Sequence, residues 1–456
     1  MWKTSEIAGF AVTIPHLSVA RVCTIVLHDN VCGCTTSLPR SIAVFESNRT
    51  LRHLAFFEDL TALDESDAEW RCVTAGLVVL RLVDAWMDEG PHTVTADAWG
   101  VRAVRVAIEE VEDDAPVRAI LGSVLDAMEG SAVADMSAVA PRLLAYAQAL
   151  EFGARYALAA DVYRQVIGHT HPVEESDIAV TAHLQLAKCL RLTGKIGAAT
   201  EAYEMAAQVA HSSNDIVGVL NARMGNAKIA IERGNLPRAE QLLDDTIASA
   251  TRPGLEEVRS KALHDRAGVA FYRGNYEQSI RFAYEAMTVA TNPRDRDRVL
   301  GDLATAFMRL GVLSAARDAY LVLSVTAQEQ WTRWLATMNL MEIASRDGAE
   351  TVFERYRREL ASASLPPIIA ADYYIQAGEG YQRLGRTDLA CGYLERALAI
   401  ANEHHFNQVV FYVEEALQKV AWLTRAPPLA APEPSSDVQE IAGALRRMRD
   451  IAGAAT

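Results

Sequence analysis

The sequence predicts an all-α fold, an array of helical hairpins, and three observations carry that expectation. First, small turn-forming residues recur at a fixed period. Stepping back from Gly385, Gly348, Gly311 and Gly274 follow at intervals of 37 residues, then Gly234 and Gly194 at intervals of 40, with Ala154 in the next slot. Second, the neighbourhood of each marker repeats. Gly378, Tyr381, Leu384, Gly385, Ala390, Leu394 and Ala397 in one copy match Ala304, Phe307, Leu310, Gly311, Ala316 and Tyr320 in another, and Ala187, Leu190, Gly194, Ala199, Tyr203 and Ala206 in a third. Third, the apolar residues on both sides of each marker have helical spacing. No run approaches the roughly eighteen apolar residues of a membrane span, so none is expected.

Taken in order, residues 1–40 read as a poorly ordered or short-strand leader, with β-branched runs in "FAVTI" and "VCTIVL". Cys23, His28, Cys32 and Cys34 cluster there, but their spacing matches no common zinc arrangement, so no metal is expected. Glu6, Pro15, His16 and Arg21 interrupt the most apolar part of the leader, which argues against a secretory signal and for a reducing cytoplasm. Residues 41–139 form an N-terminal helical cap, as a solenoid needs to cover its first apolar face. Ser66 with Glu69 suggests a capping box ahead of a helix that runs to Gly90-Pro91. Thr95 or Asp97 caps a second helix, and Asp114-Ala115-Pro116 opens a third. Trp70, Trp86 and Trp99 read as core of that cap.

The hairpin array spans 140–402. Glycine ends the first helix of each pair because it tolerates the left-handed conformation needed there. Small residues bring the two helices close, and Tyr, Phe or Leu fills the gap. The pattern is clear at 180–210 and 371–401 and weakest at 334–360, where Met341 and Phe353 stand in small-residue slots. A closing helix (403–424), a proline-rich linker (425–435) and an amphipathic tail helix (436–456) follow. The tail has a Ser436/Gln439 capping-box pair, an apolar face of Val438, Ile441, Leu445 and Met448, and flanking Arg446, Arg447 and Arg449. Three fates are open to it: fraying, capping the last helix, or docking in a groove.

These markers and slots resemble the tetratricopeptide repeat (TPR) family over residues 140–402. The resemblance implies a right-handed α-α superhelix of about seven helix pairs whose first helices line a concave groove. Positions 2, 5, 9 and 12 of each repeat then face inward: Thr181, Leu184, Lys188 and Arg191; Asn221, Met224, Lys228 and Ile231; Lys261, His264, Gly268 and Phe271; and Arg298 opening the fifth. Candidate peptide-binding residues are Lys188, Arg191, Asn221, Lys228, Lys261, His264, Phe271 and Arg298. Five cations in one stripe stand out in a chain of formal net charge −15. They suit an extended or helical peptide with carboxylates, although any solvated helix face presents charges.

Motifs for chemistry are absent. The G-E-G-Y-Q-R-L-G stretch at 378–385 has neither the spacing nor the preceding strand of a dinucleotide fingerprint, so its glycines read as packing and turn residues. "TGKIG" at 193–197 lacks the hydroxyl and glycine of a phosphate loop, and "EEVEDDAP" reads as a helix end and the next cap. His169 and His171 in "GHTHP" read as exposed turn residues, and Cys189 and Cys391 as buried thiols. Net acidity disfavours nucleic acid. The expected function is therefore a non-enzymatic, cytoplasmic adaptor or scaffold that takes a protein or peptide partner, with no cofactor and no membrane. A bacterial signalling-peptide sensor of the quorum-sensing receptor type is the alternative, and an enzyme within the N-terminal region is a further one.

Overall fold

The computed structural model describes residues 52–89, 99–131, 134–422 and 433–453, and every regular element among them is an α-helix. The expected leader strands, the Cys23–Cys34 group and the Thr95/Asp97 cap lie outside the described residues. The chain divides into two compact units, residues 1–218 and 219–456.

In the first unit, α1 (Leu54–Ala62), α2 (Ala68–Glu89), α3 (Trp99–Glu109) and α4 (Pro116–Glu129) precede the hairpins α5/α6 (Met136–Phe152, Tyr156–His169) and α7/α8 (Ser176–Leu192, Ile196–Ser212). Pro116 opens α4 behind Ala115, as the sequence suggests. The Ser66/Glu69 capping box does not form. Ser66 instead donates to Asp64 Oδ1 from both its backbone N–H and its hydroxyl, and Glu69 pairs with Arg155. Trp86 is buried, Trp70 half-buried.

α9 (Ile216–Glu232) opens the hairpin that α10 (Leu236–Ser249) completes. Three hairpins follow in the second unit: α11/α12 (Glu256–Tyr272, Tyr276–Val289), α13/α14 (Pro293–Leu310, Leu313–Thr326) and α15/α16 (Gln330–Arg346, Glu350–Ala361). The last pair, α17/α18 (Pro367–Arg383, Thr387–Glu403), is succeeded by α19 (Asn407–Trp422) and the tail helix α20 (Ser436–Ala452).

All seven periodic markers adopt the left-handed conformation, from φ 58° at Ala154 to φ 88° at Gly311. In each, the residue after the marker donates its N–H to the carbonyl four before it, as in Arg155→Leu150 (2.8 Å), Asn275→Ala270 (2.9 Å) and Arg386→Tyr381 (2.8 Å). That is a Schellman closure, and it satisfies a carbonyl the helix end would otherwise orphan. In two of the three 40-residue intervals a second left-handed residue, Asn214 or Gly254, stands twenty residues past the marker between hairpins, and His405 repeats it after the last marker. In two of the three 37-residue intervals the chain instead leaves α12 and α14 through Ala290 and Ala327.

Packing explains the weak copy. A Cβ on Gly380 would lie 2.3 Å from Phe353 Cε2, and one on Gly378 would lie 2.8 Å from Leu394 Cγ. The large Phe353 in a small-residue slot is thus matched by a glycine in the next hairpin, and both are fully inside. The glycines of the G-E-G stretch are contact points between helices.

The tail helix neither frays nor lies on the first helices. α20 packs on the second helices α14 and α12, burying Val438, Ile441 and Leu445. Its capping box is absent: Ser436 Oγ donates to Asp437, and Gln439 Nε2 donates to the Pro434 carbonyl (2.9 Å).

Candidate peptide-binding face

Within the second unit the first helices are joined side to side by polar links. Lys228 on α9 faces Asp265 on α11 (3.4 Å), and His264 Nε2 meets Asp302 on α13 (2.6 Å). Arg383 on α17 donates to Ser345 on α15 (3.1 Å), and Tyr412 on α19 donates to Glu379 on α17. These pairs exist because the hairpin period places equivalent slots of successive first helices next to one another.

The predicted slots separate by position. Lys228, Lys261 and Arg298 are exposed, and Asn221 and His264 half-buried. Slot 5 turns inward in three copies, with Met224, Met338 and Ile375 buried, while Leu184 and His264 in the same slot are half-buried. Phe271 is half-buried: its ring packs edge-on to Tyr276 at 5.4 Å and against the hydrophobic core. The cations do not form a bare positive stripe. Lys228 pairs with Asp265, Lys261 with Glu257 and Arg298 with Asp295, so the excess charge expected from sequence is already met by neighbouring acids. Further along, the equivalent slots turn acidic and less exposed, with Glu342 buried and Glu379 half-buried. Glu342 pairs with Arg346 (2.6 Å), Glu379 pairs with Arg383 (2.8 Å), and Asp372 stands half-buried, its carboxyl pushed up by burial.

In the first unit Lys188 is held by Glu151, a carboxylate that also accepts the Tyr163 hydroxyl (2.7 Å). Burial, with Glu151 beside it, pushes the neighbouring Cys189 thiol up to about 12. Arg191 is half-buried on the same helix.

One cluster escaped the sequence reading. Arg52, His53, Asp84, Asp161, Arg164, Gln165 and His169 line a cavity of about 410 Å³ in the first unit. His169, expected to be an exposed turn residue, donates from Nε2 to Asp84 Oδ1 at 2.9 Å, while His171 is exposed as expected. His53 Nε2 (3.0 Å) and Gln165 Nε2 (3.0 Å) also reach Asp84. Burial raises the Asp84 carboxyl, but hydrogen bonds from His169, His53 and Gln165 outweigh it and hold the group well below the usual carboxylate range. Three segments far apart in sequence, at 52–53, 84 and 161–169, make this cluster, so no local motif announces it. Among the described residues no group of His, Cys, Asp and Glu is arranged to hold a metal ion, and no helix is long and apolar enough to cross a membrane.

No family model matches the chain, and no curated protein matches it significantly. Solved structures do resemble it. The apo quorum sensor NprR from B. thuringiensis is 12% identical, with 75% of this chain and 92% of that chain covered at a TM-score of 0.46. The Rap conjugation gene regulator of the plasmid pLS20, in complex with the Phr* peptide, is 14% identical, covering 76% and 97% at 0.40. A tetratricopeptide repeat protein from Parabacteroides merdae is 11% identical, covering 60% and 98% at 0.39. The chain's own turns, periods and helix pairs are those of a TPR-like fold of α-helical hairpins.

Proposed function

We propose that the chain is a non-enzymatic, cytoplasmic interaction protein that takes a peptide segment along the first-helix face of its second unit. The observation that supports this reading is the run of polar slots on adjoining first helices, with Lys228, Lys261 and Arg298 exposed and Asn221 half-buried, followed on α17 by the half-buried Asp372 and Glu379. Acidic groups of the partner face α9 to α13 and replace the resident Asp265, Glu257 and Asp295. Basic groups face α17. Because exposed pairs contribute up to about 1 kcal/mol each, exchange of one carboxylate for another is nearly neutral, and specificity comes from the order of signs along the face.

A randomised peptide library panned against the purified protein tests this. Enriched peptides should place Asp or Glu at one end and Lys or Arg at the other. Lys228→Glu with Lys261→Glu should weaken them about tenfold, and salt should weaken them further. Unchanged affinity in the double variant would reject the face. Binding of selected sequences only as free short peptides, and not within a longer chain, would favour the signalling-peptide sensor over the adaptor.

A further inference from the structure

The outward face of the second helices carries a feature the periodicity exposes. Seven residues past the marker, the slot is Glu201, Gln241, Arg281 or Arg355 in four hairpins, all exposed. In two hairpins it is aspartate, Asp161 on α6 and Asp318 on α14, and both are buried. Each of those two helices is covered by an additional helix. In the first unit Asp161 Oδ2 accepts the N–H of Ala55 at the start of α1 (2.8 Å). In the second, Asp318 Oδ1 accepts Arg449 of the tail (2.7 Å), with Arg446 at 3.9 Å from the other oxygen.

α14 is built to be covered. Residues 318 to 323 are buried without a break, and no single helical face holds six consecutive positions. α13 and α15 cover one side, and α20 the other. The tail presents Val438, Ile441 and Leu445, then Arg449, at spacings of three, four and four residues. Its start is pinned by Glu277, which accepts the Ser435 N–H (3.0 Å), and by Arg281 beside Asp437 (3.4 Å). α1 continues directly into the helices around it, whereas α20 is joined to α19 only through thirteen intervening residues, 423 to 435, four of them proline. A tethered helix of this kind is held by proximity as much as by contact.

We propose that the outer face of α14, with Asp318 at its centre, is a second binding site, for an amphipathic helix of another protein, and that α20 is its tethered resident. The partner it fits repeats the resident's anchors: three aliphatic side chains at i, i+3 and i+7, and an arginine at i+11 that reaches the buried carboxylate. This site lies on the second helices and does not depend on the first-helix reading above.

The test uses a labelled synthetic helix of alanine, glutamate and lysine bearing only those four anchors. The chain truncated after residue 432 should bind it, and the intact chain at least about tenfold more weakly, since the tether gives the tail a high local concentration. Asp318→Arg in the truncated chain should abolish binding, and a probe with aspartate in place of its arginine should restore it. Should truncation unfold the protein, the full-length Leu445→Asp variant, which loosens the tail in place, should bind the probe instead. Equal binding by intact and truncated chains would overturn the proposal, as would failure of every folded variant to bind. So would an intact-chain dimer that disappears on truncation, which would give the site to a second copy's tail.

Discussion

Gly380 and Phe353 form a matched pair whose halves lie in different hairpins, and neither makes sense alone. Adding a methyl at Gly380 places it 2.3 Å from the Phe353 ring. Gly380→Ala should therefore cost about 1–3 kcal/mol of stability in urea denaturation, as overpacking does. Shrinking the ring with Phe353→Leu should recover part of that loss. A midpoint unmoved by Gly380→Ala would mean the two helices separate easily. Asp84 gives a second residue-level expectation. Its folded carboxyl is depressed by the His169, His53 and Gln165 hydrogen bonds, so the unfolded chain binds the proton first. The stabilisation is complete above the ordinary carboxylate value of about 3.9 and is lost as pH falls below it. Asp84→Asn should be less stable than the native chain by about 1–3 kcal/mol at pH 7. The gap should narrow in acid, and a constant gap down to pH 3 would show that the charge is not what matters. At this scale the sequence was half legible. Glycines betray themselves because few other residues adopt their backbone, whereas His53, Asp84 and His169 are ordinary residues that only the fold brings together.

At the scale of the element, the turn after each first helix is the unit of repetition. Six of seven markers are glycine, and Ala154 adopts φ 58° in the same Schellman closure. Ala154→Gly should thus stabilise the chain by about 1 kcal/mol, and Gly274→Ala should destabilise it by a similar amount. Thermal melts that moved in the same direction for both would contradict a shared geometry. The helix pairs were readable because period and small-residue slots act locally. The slots of the candidate face were readable only in part. Sequence placed Lys228, Lys261 and Arg298 in the inward-facing repeat positions, but it gave no sign that Asp265, Glu257 and Asp295 would neutralise them. Nor did it separate Phe271, whose ring faces core, from its exposed neighbours.

On the whole-molecule scale, residues distant in sequence carry what the periodicity leaves out. The tail's fate was not legible because its partner Asp318 lies 131 residues before Arg449, and an aspartate there looks like any surface acid. Periodicity also could not reveal that the chain divides into two compact units. That clasp gives the protein a mechanical order of failure. Under a pulling force applied to the C-terminus, the load meets the α20 contacts with α12 and α14 before it meets any hairpin, because the chain reaches the array only through α19. The first event in an optical-tweezers trace should be the small, reversible release of residues 423 to 452, lengthening the tether by roughly 100 Å at about 3.3–3.6 Å per residue. Asp318→Ala should lower the force of that first step and leave the later ones unchanged. A cell that pulls on this end, or a translocating machine that grips it, would thus uncover the outer face of α14 while the array beneath still stands.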